Sequence, residues 1–112
     1  MAQSIIMLGT GSAFPQNAYN SCFVVRSEKL LLLTDAGGGN GIFNALKKAT
    51  VNLDDIHHMF VSHSHTDHIL GAVWVARGIV NLVKENAYSG IFHIYTNRAT
   101  SAALLEICRQ TF

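Results

Sequence analysis

His63-Ser64-His65-Thr66-Asp67-His68 sets three imidazoles and one carboxylate within six residues, directly after Met59-Phe60-Val61-Ser62. Imidazole nitrogen and carboxylate oxygen suit borderline divalent ions such as zinc, and each can be in its binding state near neutral pH. In extended or looping backbone, residues two apart share a side. His63 and His65 are therefore expected to hold one ion while Asp67 and His68 turn toward a second. The alternative, a polar loop rich in His by coincidence, leaves four ligand-type side chains in six positions without a use. Metal binding is the working reading.

Outward from the motif, residues 56–62 read as a strand, so the motif sits at a strand's C-terminal end, where loops gather and ligands bind in open α/β sheets. Upstream, residues 4–8 form an apolar run ending at Gly9, followed by a loop with two Gly and a Pro. Residues 21–26 and 29–35 are strand-like and separated by Ser27-Glu28, which predicts a hairpin and hence a three-stranded antiparallel meander. Gly37-Gly38-Gly39 then breaks the strand. Asn40 is placed to cap a helix carrying Ile42, Phe43, Leu46 and Ala49, and Asn52-Leu53-Asp54-Asp55 is a turn. Downstream, residues 69–86 predict a long helix that is apolar over more than one face, expected to be buried or to await a partner. A strand at 91–96 and a helix at 97–111, with Leu104, Leu105 and Cys108 inward, complete an α/β pattern of βα units.

Three blocks in this order, Leu8-Gly9-Thr10-Gly11-Ser12-Ala13-Phe14-Pro15, Leu30-Leu31-Leu32-Leu33-Thr34-Asp35-Ala36-Gly37 and the His-x-His-x-Asp-His motif, resemble the metallo-β-lactamase superfamily. The opener is most similar to the branch of ribonuclease Z and related phosphodiesterases. The resemblance covers about residues 4 to 80. It implies one half of an αββα sandwich, with residues 1–112 forming a single N-terminal portion of a domain about twice as long, expected to be truncated or proteolysed. It also implies two divalent ions in the complete site, zinc first with manganese or iron as alternatives. His63, His65, Asp67 and His68 are the implied ligands, and the remaining His ligands and a bridging Asp come from the second half.

Composition points the same way without the resemblance. Only 13% of the 112 residues are charged and 49% are hydrophobic, against about 25% charged in a typical domain. Mean hydropathy is +0.25. A small domain has a high surface-to-volume ratio and needs polar surface, so some apolar surface is expected to meet a partner, with a homodimer through an exposed sheet face as the expectation. The alternative is a compact cytosolic domain of ordinary habit.

Eight Lys and Arg are scattered at Arg26, Lys29, Lys47, Lys48, Arg77, Lys84, Arg98 and Arg109 for a net charge of +1, which leaves no basic stripe and no nucleic-acid footprint. Cys22 and Cys108 match no metal or redox spacing and read as buried reduced thiols, consistent with a cytoplasmic location. No run approaches the roughly 18 apolar residues of a membrane span, and no signal-type N-terminus is present.

Asp35 ends a run of leucines, where an acid is costly unless something binds it. It is either the carboxylate that receives the second ring N–H of a metal-bound His, as the resemblance also implies, or a turn or capping aspartate. Gly9-Thr10-Gly11-Ser12 is not a dinucleotide loop, because Phe14 and Pro15 stand where the fingerprint needs glycine and a helix start. Gly37 to Gly41 either offers backbone N–H groups to an anionic substrate or is a plain connector. His57, His58 and His93 read as ordinary histidines at the far end of their strands or inside one, and Trp74 as core.

Two divalent ions would lower the pKa of water toward neutrality and polarise the bond under attack, which is hydrolytic chemistry. The resemblance implies a phosphodiester substrate, with Asp67 both ligand and proton acceptor. The runner-up class is a thioester, lactone or other carboxylic ester. Four ligands cannot close two sites, so the parent protein is expected to be the hydrolase and this piece weakly active or inactive. A reading of another class is a non-catalytic module that binds metal and dimerises.

Overall fold

A computed structural model describes residues 3–11 and 19–112. Ser12, Ala13, Phe14 and Pro15 of the opener lie outside the described residues. The elements among the described residues are β1 (Ser4–Gly9), β2 (Cys22–Arg26), β3 (Leu31–Thr34), α1 (Gly41–Lys48), β4 (His58–Phe60), α2 (Thr66–Lys84), β5 (His93–Tyr95) and α3 (Arg98–Thr111), with a 3-10 turn at Leu53–Asp55. The strands form one sheet in the order β1-β2-β3-β4-β5. The first two pairings are antiparallel and the last two parallel, so the meander and the βα units stand as the sequence predicts.

The register makes the two faces of this sheet chemically different. Ile6, Val24, Leu33, Met59 and Ile94 face one another across all five strands. Val24, Leu33 and Met59 are fully buried, and they join Ile42 and Leu46 of α1, Ile69, Ala72, Val75 and Ile79 of α2 and Leu104 of α3 in one core. The three helices thus cover this face. Burying a Leu or Ile side chain is worth about 1.5–3 kcal/mol, so this single cluster is what holds the layers together.

The opposite face carries two rows: Ile5, Val25, Leu32, His58 and His93, then Met7, Phe23, Thr34, Phe60 and Tyr95. None of these ten is Asp, Glu, Lys or Arg, and Ile5, Met7, Phe60 and Tyr95 are exposed. Exposed apolar side chains also lie on the helices, among them Leu70 and Val83 of α2 and Leu105 of α3, but this sheet face is the one that combines several of them with no formal charge.

Several local expectations shift. The hairpin turn takes four residues, closed by Ser27 N–H donating to Leu30 C=O at 2.9 Å, so Lys29 and Leu30 belong to the turn. The strand expected over 56–62 narrows to His58–Phe60. Asn40 precedes α1 without a side-chain capping bond. The helix expected from residue 69 begins at Thr66, because nothing in Thr66-Asp67-His68 opposes helix and an acid in the first turn favours it. Trp74 is not core. It lies 38% exposed on α2, edge-to-face with Phe43 at 6.5 Å, with the Arg77 guanidinium 5.7 Å above its ring.

Candidate metal centre

β4 runs out at Phe60, and the chain then crosses the C-terminal edge of the sheet through Val61 to His65 before α2 begins. The crossing is pinned on both sides. Val61 N–H donates to Tyr95 C=O at 3.0 Å, and the Thr96 hydroxyl donates to Val61 C=O at 2.8 Å. On the other side, Asp35 N–H donates to Phe60 C=O at 2.7 Å.

Asp35 itself has φ 56°, in the left-handed region that Asp tolerates better than most residues. This turns its side chain from the strand toward the loop, where it is 7% exposed. Its Oδ1 accepts the Ser62 backbone N–H at 2.8 Å, and the Ser62 hydroxyl lies 3.1 and 2.9 Å from Oδ1 and Oδ2. The same hydroxyl lies 2.8 Å from His63 Nδ1. Oδ2 is also 3.2 Å from His68 Nδ1, although the carboxylate lies off the ring N–H line, and that buried nitrogen makes no directed hydrogen bond. His68 Nε2 is 3.2 Å from Asp67 Oδ2.

The three motif imidazoles come together: His63 stands 4.5 Å from His65 and 4.2 Å from His68 between ring centroids. The early start of α2 folds His68 back onto His63. Among the described residues, no three His, Cys, Asp or Glu side chains are spaced as a closed ligand set. The donor chemistry nevertheless fits a divalent ion. Three imidazoles and a carboxylate converge, and one imidazole nitrogen is buried with its bonding unmet.

α2 is brought to this edge by Gly71, whose N–H donates to Gly37 C=O at 2.7 Å. A Cβ on Gly71 would fall on the Ala36 carbonyl oxygen, so only glycine permits the approach. The 36–41 segment is held in turn by Tyr19, whose hydroxyl lies 2.6 Å from Ala36 C=O and 2.9 Å from Gly39 C=O. Burial pushes the Tyr19 hydroxyl up to about 12. Asn20 Oδ1 accepts the Gly38 N–H at 3.0 Å. Tyr19, Asn20, Ser62 and Gly71 all shape the site and were not singled out by the sequence reading. A hydroxyl directly before the His motif is the one signal that was available.

The other candidates stay apart. His57 is bound to Ser89 C=O through Nε2 at 2.7 Å and packs on Tyr88. His58 stacks on His93 at 5.3 Å and bonds the Tyr95 hydroxyl at 2.9 Å. Cys22, the first residue of β2, is buried in the core, and burial followed by the Asp35 charge pushes its thiol up to about 12. Among the described residues, no helix is long and apolar enough to cross a membrane.

A family model described as anti-Pycsar protein Apyc1 matches residues 3–104. The anti-Pycsar protein Apyc1 of Bacillus phage BSP38 is 38% identical over 73 residues, covering 64% of this chain and 28% of that protein. Ribonuclease Z of Methanosarcina mazei is 38% identical over 68 residues, 60% of this chain and 22% of that protein. The chain thus spans about a quarter of the length of these curated relatives. Among solved structures, human tRNase Z, short form, superposes with a TM-score of 0.77 at 24% identity, covering 98% of this chain and 40% of that one. A diphosphatase of the PhnP family gives 0.80 at 16%, covering 98% and 47%. The fold is that of the metallo-β-lactamases.

Proposed function

This chain belongs to the anti-Pycsar protein Apyc1 family, and from that membership we propose that it is the N-terminal metal-binding portion of a metal-dependent hydrolase that acts on phosphodiesters. The observation that carries the reading is the convergence of His63, His65 and His68 at one sheet edge, with Asp35 in contact with His68 and, through Ser62, with His63. His63, His65, Asp67 and His68 would hold the ions, zinc being the best match to nitrogen and carboxylate donors. A bound divalent ion supplies Lewis-acid polarisation of the bond attacked and an acidified water.

The chain's own residues supply orientation and charge. Asp35 stands against His68 Nδ1 and reaches His63 through the Ser62 hydroxyl, which places one buried carboxylate behind both rings. Asp67, in the first turn of α2, projects its carboxylate beside His68 and is the candidate proton acceptor. The phosphodiester assignment is supported by the ribonuclease name among the curated relatives. Because the chain spans about a quarter of those relatives, activity is assigned to the complete protein, and the isolated chain is expected to be weakly active or inactive.

The test is metal per chain by elemental analysis of tag-free protein, with hydrolysis of a chromogenic phosphodiester, thioester and lactone in parallel. Zinc uptake that is lost in His63→Ala and His68→Ala, with turnover near background, is expected. Robust phosphodiester turnover by this chain overturns the fragment reading, turnover of an ester alone overturns the substrate class, and uptake unaffected by either substitution overturns the site.

One observation favours a second reading alongside it, association with a second copy. The ten-residue outer sheet face carries no formal charge, so two copies meeting across a two-fold axis place no like charges together. Face-to-face packing about 10 Å apart is the ordinary way two such sheets bury their apolar rows. Light scattering after size exclusion is expected to give the mass of a dimer, and a monomer would remove this reading.

A further inference from the structure

We propose that Ser62 is a positioning residue that sets the tautomer of His63, keeping the ring proton on Nδ1 and leaving Nε2 as the free donor atom. The inference follows from counting protons. A serine hydroxyl has one proton to give and lone pairs with which to accept, whereas a carboxylate only accepts. Ser62 Oγ lies 2.9 and 3.1 Å from the two oxygens of Asp35, so its proton is committed there. It lies 2.8 Å from His63 Nδ1 and has only a lone pair left to offer, so Nδ1 must be the donor.

Nothing in this triangle is free to reverse. The Ser62 backbone N–H donates to Asp35 Oδ1 at 2.8 Å, which fixes the carboxylate against the same residue twice. Asp35 is buried, so water does not compete readily for its oxygens. The Ser62 backbone is itself placed by the hydrogen bonds at Val61 on one side and by the Asn97 amide, 3.4 Å from Ser62 C=O, on the other.

The Nδ1–H form is the minor one in a free imidazole side chain, so the protein spends hydrogen bonds to select it. That selection matters for an ion because the ring nitrogen without the proton is the one that can bind, and a second hydrogen bond at the other nitrogen fixes ring orientation. Only this last step rests on the metal reading; the tautomer stands on the hydrogen bonds alone.

The experiment is a long-range 1H–15N correlation spectrum of the 15N-labelled, metal-free chain at about pH 8, where imidazole is neutral. His63 is expected in the Nδ1–H form in the native chain and in Ser62→Thr, and in the Nε2–H or an averaged form in Ser62→Ala. Zinc competition against a chromophoric chelator is expected to show a loss of about 10–100-fold in Ser62→Ala, with Ser62→Thr close to native. A native His63 in the Nε2–H form overturns the proposal even if the alanine variant fails to fold, as does an alanine variant that keeps Nδ1–H. An Nδ1–H signal that depends on Ser62, in a chain that takes up no zinc, upholds the proposal and counts against the metal reading instead.

Discussion

Oδ2 of Asp35 lies 3.2 Å from Nδ1 of His68, which joins the end of β3 to the first turn of α2 across the candidate site. The same carboxylate takes two donors from Ser62, near the start of the crossing that follows β4. Three segments that the chain delivers separately thus meet at one buried group. Asp35→Asn keeps the shape but presents an amide N–H₂ to groups that need an acceptor. It is expected to lower stability by about 1–3 kcal/mol and zinc affinity by about 10–100-fold. Urea unfolding and a zinc titration read the two losses separately; native values in both would show that Asp35 is only a turn residue.

Gly71→Ala is expected to be strongly damaging. The added Cβ would meet the Ala36 and Gly37 backbone, neither of which can rotate aside as a side chain can. Overpacking of this kind costs about 1–3 kcal/mol and more where backbone must move. Because α2 carries Asp67 and His68, the displacement should also weaken metal uptake. Thermal unfolding of the variant should show a clearly lowered midpoint.

Alkaline pH should unfold this chain earlier than its net charge suggests. Cys22 is raised from 9.0 to about 12 and Tyr19 from 10.0 to about 12, chiefly by burial. The unfolded state ionises first, so the stability these groups contribute is complete below about pH 9 and is lost as pH rises toward 12. A stability profile by urea midpoint should therefore fall through that window, and Cys22→Ala should flatten part of the fall. In the folded protein at neutral pH, thiol reagents should label half-buried Cys108 before Cys22.

Phe60 stands in the middle strands of the uncharged sheet face and is 40% exposed. Phe60→Lys places a charge where two copies would meet without disturbing the helix-covered core. It is expected to convert a dimer to a monomer in light scattering, with little change in circular dichroism. A variant that stays dimeric would move the contact to another surface.

The fold was largely legible in the chain because its signals are local. The short apolar runs of β1 and β2, the short hairpin, and Gly37-Gly38-Gly39 after Asp35 each follow from backbone preferences of a few residues. Boundaries were less legible. Thr66, Asp67 and His68 carry no apolar periodicity, so the first turn of α2 was invisible until its hydrogen bonds to His65 C=O were seen. Trp74 looked like core by type, yet its place on α2 is decided by which side of that helix meets the sheet.

The sequence by itself determined the donor chemistry, three imidazoles and a carboxylate in six positions with an acid at the end of a leucine-rich run, and a low share of charged residues. Those are properties of residue types and short spacings. Only the tertiary structure decided that His68 turns back onto His63, that Ser62 stands between Asp35 and a ring nitrogen, and that ten uncharged residues share one sheet face. The physical reason is that hydrogen-bond direction and strand register depend on chain segments far apart in sequence. Neither is specified until Gly71 lets α2 close against the segment after β3.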